Sequence, residues 1–471
     1  EGDMIRETMT KKTITKKTMT RYMPSYRTSA IVFCAVIWAV MFAPAPFAIQ
    51  GISGTDKVQA QEQDGKRRKP KTRRSQVLGK QAFNKITAAQ EAITNDEHDK
   101  ALNLLNDILR GDRYKPYEKG VAQQTIGFVW ADKGDYERAG RAFERAINMG
   151  VLPEQVENDL IFNLAQIYLA EDQPKRSLAY LNRWLKKTDD PPASAYGLRA
   201  QIYLVLEDLG RAEKDIKVAL KKSENPKESW YRVLLSILLQ QERYKEALPI
   251  LELVVDKFPG KKPFWQQLSA IYFERGMEEK GFAAQQAMHA QDMLTTSKEL
   301  SRIAQLYLYY DYPYKAARIL DEGLKNGDIE KTEKNWELLA NSWMHAREWK
   351  RSRRPLLNAA QKSKGGKLYV QLGEAYIQDE DWSNAEKYLK RGIKKGKLEK
   401  RIGHAWLVLG ITQNRLGKYE EAIKSFREAG EYDEVARDAF RWVRSLERRL
   451  ARMRREREAK EREAQRQASE S

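Results

Sequence analysis

The residues best able to do chemistry in this 471-residue chain are few and scattered. Its four histidines, His98, His289, His345 and His404, each stand alone in the sequence. No two are four apart on one helical face and none falls in an HExxH arrangement, so no zinc-bound water is expected. A single cysteine, Cys34, excludes a disulfide framework and any Cys-rich zinc or iron–sulfur site. There is no phosphate-cradling glycine loop ending in Gly-Lys-Ser or Gly-Lys-Thr, no strand leading into Gly-x-Gly-x-x-Gly, and no Gly-x-Ser-x-Gly elbow. Carboxylates are abundant, but on amphipathic helices they read as solvated faces paired at i, i+4. The expectation is a chain that is not an enzyme and that has no cofactor or metal.

What remains is the chemistry of recognition. Gln166, Gln201, Gln305 and Asn341 form one row of amides, and Leu169, Leu204, Leu239, Phe273, Leu308 and Met344 form an apolar row beside it. Phe162 and Arg232 complete the set of candidate partner-binding residues, and the same positions continue to Val370, Glu374 and Ile377. An amide both donates to and accepts from a peptide backbone, while apolar pockets take its side chains, so the pattern suits an extended or helical segment of another protein. The plainer alternative is that the amides are solvated and the apolar row packs against neighbouring helices.

Both rows depend on a repeat that must set their spacing. From about residue 82 to 430 the sequence repeats every 33 to 38 residues, most visibly in Ile126-Gly127-x-x-Trp130 followed by Gly134-Asp135-Tyr136-x-x-Ala139-x-x-x-Phe143. A small residue on one helix is followed twelve positions later by a small residue on the next: Gly127 with Ala139, Ala165 with Ser177, Ala200 with Ala212, Gly373 with Ala385, Gly410 with Ala422. Leu235 with Ala247, Ser269 with Gly281, Ala304 with Ala316, Ala340 with Ser352 and the degenerate Ala89 with Ala101 bring the count to ten. Small residues let the two helices of a unit approach, and large residues on the same faces, Trp130 and Tyr168 on the first helices or Phe143 and Leu389 on the second, fill the space around them. The rows lie three before, one after and four after the small residue of each first helix. The sixth unit departs, with Gly281 and Gln285 where Ala and a large apolar residue are usual, and is expected to be a softer joint.

This pattern resembles the tetratricopeptide repeat family across roughly three quarters of the chain. The resemblance implies an all-α fold: a right-handed superhelical solenoid of about ten helical hairpins, with a concave groove lined by the first helices. Members that capture a chaperone's acidic C-terminus use a Lys/Arg/Asn clamp at the inward positions; here only Arg232 is offered, so that ligand is not expected. Narrower segments, among them Leu152-Pro-Glu-Gln-Val156, Phe162-Asn-Leu-Ala-Gln-Ile-Tyr168 and Asn335-Trp-Glu-Leu-Leu-Ala340, are similar to periplasmic members associated with TonB–ExbB–ExbD energy-transducing systems. That resemblance implies an accessory of proton-motive-force-driven transport, with TonB, ExbB or ExbD components as partners. An envelope-assembly or secretion scaffold of the same fold is the alternative.

The net charge of +19 sits at the two ends: +9 over residues 1–74 and +5 over 441–471, leaving +5 on the 366 residues between. A nucleic-acid binder would concentrate charge on the folded body, so nucleic acid is not an expected partner. The chain opens on Glu1, and an internal start at Met4, Met9, Met19 or Met23 is expected. Residues 1–60 read as a basic extension followed by the uncharged run Ser29–Ala43, a secretory signal with cleavage after Ala60, which would deliver the chain to the periplasm. The competitor is an uncleaved inner-membrane anchor with the rest facing the periplasm. Residues 61–81 form a basic linker with seven Lys/Arg among the nine positions Lys66–Arg74, either solvated or drawn to anionic headgroups. Residues 431–471 read as a capping helix, amphipathic through Val435, Ala439, Trp442, Leu446 and Leu450, that runs into an Arg/Glu-rich tail.

Overall fold

The computed structural model describes residues 77–470. The expected export segment with Cys34, the cleavage point after Ala60 and the basic run Lys66–Arg74 lie outside the described residues. No described helix is long and apolar enough to cross a membrane.

Among the described residues the chain forms ten helical hairpins and one final helix. The described part of the first compact unit ends at Ile271. It contains α1 (Lys80–Thr94) and α2 (His98–Arg110), α3 (Pro116–Asp132) and α4 (Tyr136–Asn148), α5 (Glu154–Ala170) and α6 (Pro174–Leu185). It continues with α7 (Ala193–Val205) and α8 (Leu209–Lys222), then α9 (Glu228–Gln240) and α10 (Tyr244–Lys257). The second unit runs from Tyr272 and contains α13 (Ser297–Tyr309) and α14 (Pro313–Asn326), α15 (Glu333–His345) and α16 (Trp349–Lys362). There follow α17 (Lys367–Ile377) and α18 (Trp382–Lys395), α19 (Ile402–Arg415) and α20 (Tyr419–Gly430), and lastly α21 (Asp433–Glu470). The division falls within α11 (Lys262–Glu274), the first helix of the hairpin whose second is α12 (Glu278–Ala290) and which carries Gly281 and Gln285.

Within each unit most hairpins close on a pair of small residues; the fifth has the buried Leu235 at the first of the two positions. Ala139, Ala165, Ala212, Ala316 and Ala385 are wholly buried, and the Ser177 hydroxyl donates directly to the Ala165 carbonyl oxygen at 2.5 Å. Where the first helix carries glycine the fit is tighter still. A Cβ added at Gly127 would stand 2.3 Å from the Phe143 ring, and one at Gly410 would stand 2.7 Å from Phe426. Large side chains sixteen positions downstream thus occupy the volume that the missing methyl leaves, which is why both residue types recur in phase.

The turn within each hairpin has one conformation. Seven positions after the small residue of the first helix the backbone enters the left-handed region in all ten described hairpins. Glycine stands there three times (Gly134, Gly276, Gly417), but Asp96, Asp172, Glu207, Glu242, Asp311, Arg347 and Glu380 adopt the same geometry at φ between 54° and 63°. The next residue precedes the second helix as its N-cap, with Asp135, Asp208 and Asp381 accepting from the backbone N–H three positions on. Prolines mark helix starts at Pro116, Pro174 and Pro313, yet Pro249 and Pro355 lie inside α10 and α16, so proline is not confined to the turns between units.

At the C-terminal end α21 covers the last hairpin. Ala439, Val443 and Leu446 are buried against Leu407, Ile423 and Phe426, and the rings of Trp442 and Phe426 stack 5.5 Å apart. A repeat helix left uncovered would expose this face to water, so the cap is required by the same hydrophobic burial that joins the hairpins. Every side chain described from Ala451 on is exposed.

Candidate functional site

In the first unit α5 presents Phe162, Gln166 and Leu169, α7 presents Gln201 and Leu204, and α9 presents Arg232 and Leu239. All seven are partly exposed, and α7 and α9 touch directly. In the second unit Phe273 stands near the end of α11, α13 presents Gln305 and Leu308, and α15 presents Asn341 and Met344, with α13 against α15. Gln305 is exposed and the other four are partly exposed. Three of the apolar members also lean on the core: Phe162 packs on Trp184 with ring centroids 5.0 Å apart, Leu169 packs on the buried cluster of Ala165, Leu181, Leu198 and Ile202, and Met344 packs on the cluster that includes Ala340 and Leu372.

The amides are the distinctive part. Gln166, Gln201, Gln305 and Asn341 make no side-chain hydrogen bond among the described residues, although each reaches solvent. An amide so placed keeps its donors and acceptor for water or for an incoming backbone. Arg232 behaves differently. Its guanidinium is held by Glu228 four residues earlier, a counterion that it shares with Lys261 at 3.0 Å, so this cation is already engaged within the chain.

The expectation that the rows continue through the ninth hairpin is overturned. Val370 and Ile377 are 1% and 6% exposed, packed with Leu398, Ala405 and Leu409. The connection from Gly396 to Arg401 returns to the start of α17, where the Gly366 N–H donates to the Gly396 carbonyl oxygen at 2.8 Å, and its Leu398 joins the buried cluster that holds Val370 and Ile377. The Glu374 carboxylate remains partly exposed but is engaged, accepting from Arg401 at 3.1 Å and approached by His404 at 3.1 Å. Burial pushes its pKa up, but His404 and Arg401 outweigh that and hold it below the usual glutamate range. Earlier in the chain Gly197 is also closed off, because Trp230 lies where its Cβ would be.

Two further features were not singled out in the sequence, although the first recurs there at a fixed spacing. The first is a ladder of cations over aromatics: Arg138 over Trp130 at 4.5 Å, Arg176 over Tyr168 at 4.0 Å, Arg211 over Tyr203 at 4.7 Å. Lys280 over Tyr272 at 5.5 Å, Lys315 over Tyr307 at 5.8 Å and Arg351 over Trp343 at 4.9 Å continue it. Each cation stands eight residues after its ring, directly before the small residue of the second helix, and contributes about 0.5–1 kcal/mol at an exposed site. The second is a meeting of Asp96, His98 and Asp132, whose ligand atoms lie within 4.8 Å of one another. This is the one group among the described residues with spacing able to hold a metal ion. Both carboxylates face solvent, and the 2.7 Å hydrogen bond between His98 and Asp132 accounts for the approach by itself.

Two carboxylates anchor the hairpins to one another. Glu386, 6% exposed, is pushed up by burial, but Lys390, Lys418 and Gln413 outweigh that and hold its pKa at about 2. Glu213 is lowered to about 2, chiefly by Arg243 and then by Lys217.

Stacked two-helix units with a shared turn, shared small-residue contacts and a terminal cap define a helical-repeat protein. Residues 370–436 match the tetratricopeptide repeat family model, which supports that family for the chain. No curated protein sequence matches the chain. Among solved structures, a tetratricopeptide repeat protein from Parabacteroides merdae is similar at 13% identity and a TM-score of 0.35, over 64% of this chain and 100% of that one. MamA from Desulfovibrio magneticus is similar at 18% identity and a TM-score of 0.34, over 40% of this chain and 99% of that one. A further crystal structure of MamA shows 16% identity and a TM-score of 0.32, over 36% of this chain and 95% of that one.

Proposed function

We propose that this chain is a non-catalytic, exported scaffold that binds segments of other proteins along the inward rows of its first helices. The observation that carries the reading is the run of amides without internal partners, Gln166 and Gln201 in one unit and Gln305 and Asn341 in the other, each beside a partly exposed apolar residue. A polypeptide laid along such a row exchanges water for backbone hydrogen bonds and places alternate side chains on Leu169, Leu204 and Leu239. The particular role we propose is that of an accessory to a TonB-type energy-transducing transport system in the periplasm, with TonB, ExbB or ExbD components as partners. The basic ends, including the solvent-exposed Arg-rich stretch of α21, would lie against the anionic inner-membrane surface.

The test is cross-linking in living cells from photo-reactive residues placed at Gln201 and at Leu239, followed by identification of what is captured. Recovery of TonB, ExbB or ExbD components supports the transport reading and puts the partner on these rows. Recovery of outer-membrane assembly or polysaccharide proteins transfers the function to an envelope-assembly scaffold. Recovery of cytosolic proteins alone overturns the periplasmic location.

A further inference from the structure

The ninth and tenth hairpins hold a second recessed surface that the inward rows do not reach. The second helix of one hairpin, α18, and both helices of the next, α19 and α20, enclose an open cleft of about 380 Å³. Its floor is apolar: Leu409 is buried, while Ile393 and the Trp406 indole are partly exposed. The inward positions of α19, counted from Gly410, are Leu407, Ile411 and Asn414, and none of them lines it. The volume lies at the lower end of the roughly 300–1,000 Å³ typical of small-molecule pockets, and suits one large side chain.

The polar rim is divided. Some of its groups satisfy each other: Lys390 is held by Glu386 at 2.7 Å and Glu421 at 3.0 Å, and the Ser425 hydroxyl donates to the Gln413 side-chain oxygen at 2.7 Å. By contrast, Lys394 of α18 and Lys424 of α20 are exposed and make no ion pair or hydrogen bond among the described residues. Two ammonium groups without counterions therefore flank an indole-floored hollow. A bare anion would gain nothing from that floor, and a purely apolar ligand would gain nothing from the rim. The chain's own charged ends are excluded as occupants by sign, since residues 1–74 carry +9 and residues 441–471 carry +5.

We propose that this cleft docks an acidic segment of a partner protein, one large apolar side chain seated over Trp406 and Ile393 with flanking carboxylates paired to Lys394 and Lys424. This surface is separate from the inward rows, so it stands or falls independently of the reading above. Carboxylates on both sides of an anchor would set its orientation and speed its approach, while burial of the anchor would set its residence time.

The experiment uses the full chain and a fluorescein-labelled peptide, Asp-Glu-Asp-Phe-Glu-Asp-Glu, titrated by fluorescence anisotropy at physiological salt. Saturable binding is expected, weakened about tenfold or more in the Lys394→Glu/Lys424→Glu protein and by replacing the peptide's Phe with Gly. Leu239→Asp is expected to leave that binding unchanged. Both lysines are exposed, so the double variant should keep the wild-type thermal melt, which is measured alongside. Equal binding of the Gly peptide would reduce the effect to unspecific charge attraction and overturn the proposal. So would absence of binding, or binding of phosphatidylserine vesicles that depends on the same lysines while the peptide fails to bind.

Discussion

Single side chains show how little slack the hairpins have. Ala139 is wholly buried between helices whose contact leaves no room for branching, so Ala139→Leu should lower stability by about 1–3 kcal/mol through overpacking. The measurement is the urea midpoint; a mutant that unfolds with the wild type would break the small-residue phase on which every inward position depends. Glu386 supports a prediction in pH. Its folded pKa, about 2, lies below its ordinary 4.5, so the stability it contributes is present above pH 4.5 and is lost as pH falls toward 2. Glu386→Gln should therefore melt below wild type at neutral pH, by about 1–3 kcal/mol, because Lys418 loses its carboxylate and Lys390 keeps only Glu421, and the difference should shrink as pH falls from 4.5 to 2. A constant difference across that range would show that packing, and not the charge, is what the mutation removes.

At the scale of the element, the shared left-handed turn is the most informative feature. Seven of the ten described turns place a residue with a Cβ where only glycine is unstrained. Arg347 is exposed at φ 59°, so Arg347→Gly should raise the urea midpoint, corresponding to a stability gain of a few tenths to about 1 kcal/mol, the relief of strain exceeding the added freedom of the unfolded chain. A lower midpoint would mean that the arginine side chain contributes more than its backbone costs. The cap can be divided in the same way. Deleting residues 451–471 should leave the melt unchanged, because every side chain described there is exposed, whereas Leu446→Ala, at a site 2% exposed, should cost about 2–4 kcal/mol.

For the whole molecule, the question is whether the inward rows bind. Leu204→Asp and Leu239→Asp change partly exposed positions, so the pair should leave the helical circular dichroism and the melt close to wild type. In the cross-linking experiment the same pair should abolish capture at Gln201. Capture that persists would place the partner elsewhere, with the lysine-flanked cleft of the ninth and tenth hairpins as the next surface to probe.

The hairpins were legible in the chain because their contacts are local. A small residue, its partner twelve positions on and a large residue sixteen positions on meet through one turn, so Gly127, Ala139 and Phe143 announce one another within a short window. The cap was legible for the same reason, since Ala439 and Leu446 recur at helical spacing. Four features could not be read this way. The closing of α17 depends on the path of the Gly396–Arg401 connection, and no periodicity encodes how a connection folds back. The pairing of Arg232 with Glu228 is local, four apart on one helix, but the sharing of Glu228 with Lys261 of the next connection is not, and only the side-chain geometry selects it. His98 and Asp132 meet 34 residues apart, and Lys394 and Lys424 flank one cleft at 30, separations that span whole hairpins and are fixed by how one unit stacks on the next. Periodicity is a property of one helix face; the proximity of two faces is a property of packing, and that is where the candidate sites of this protein were decided.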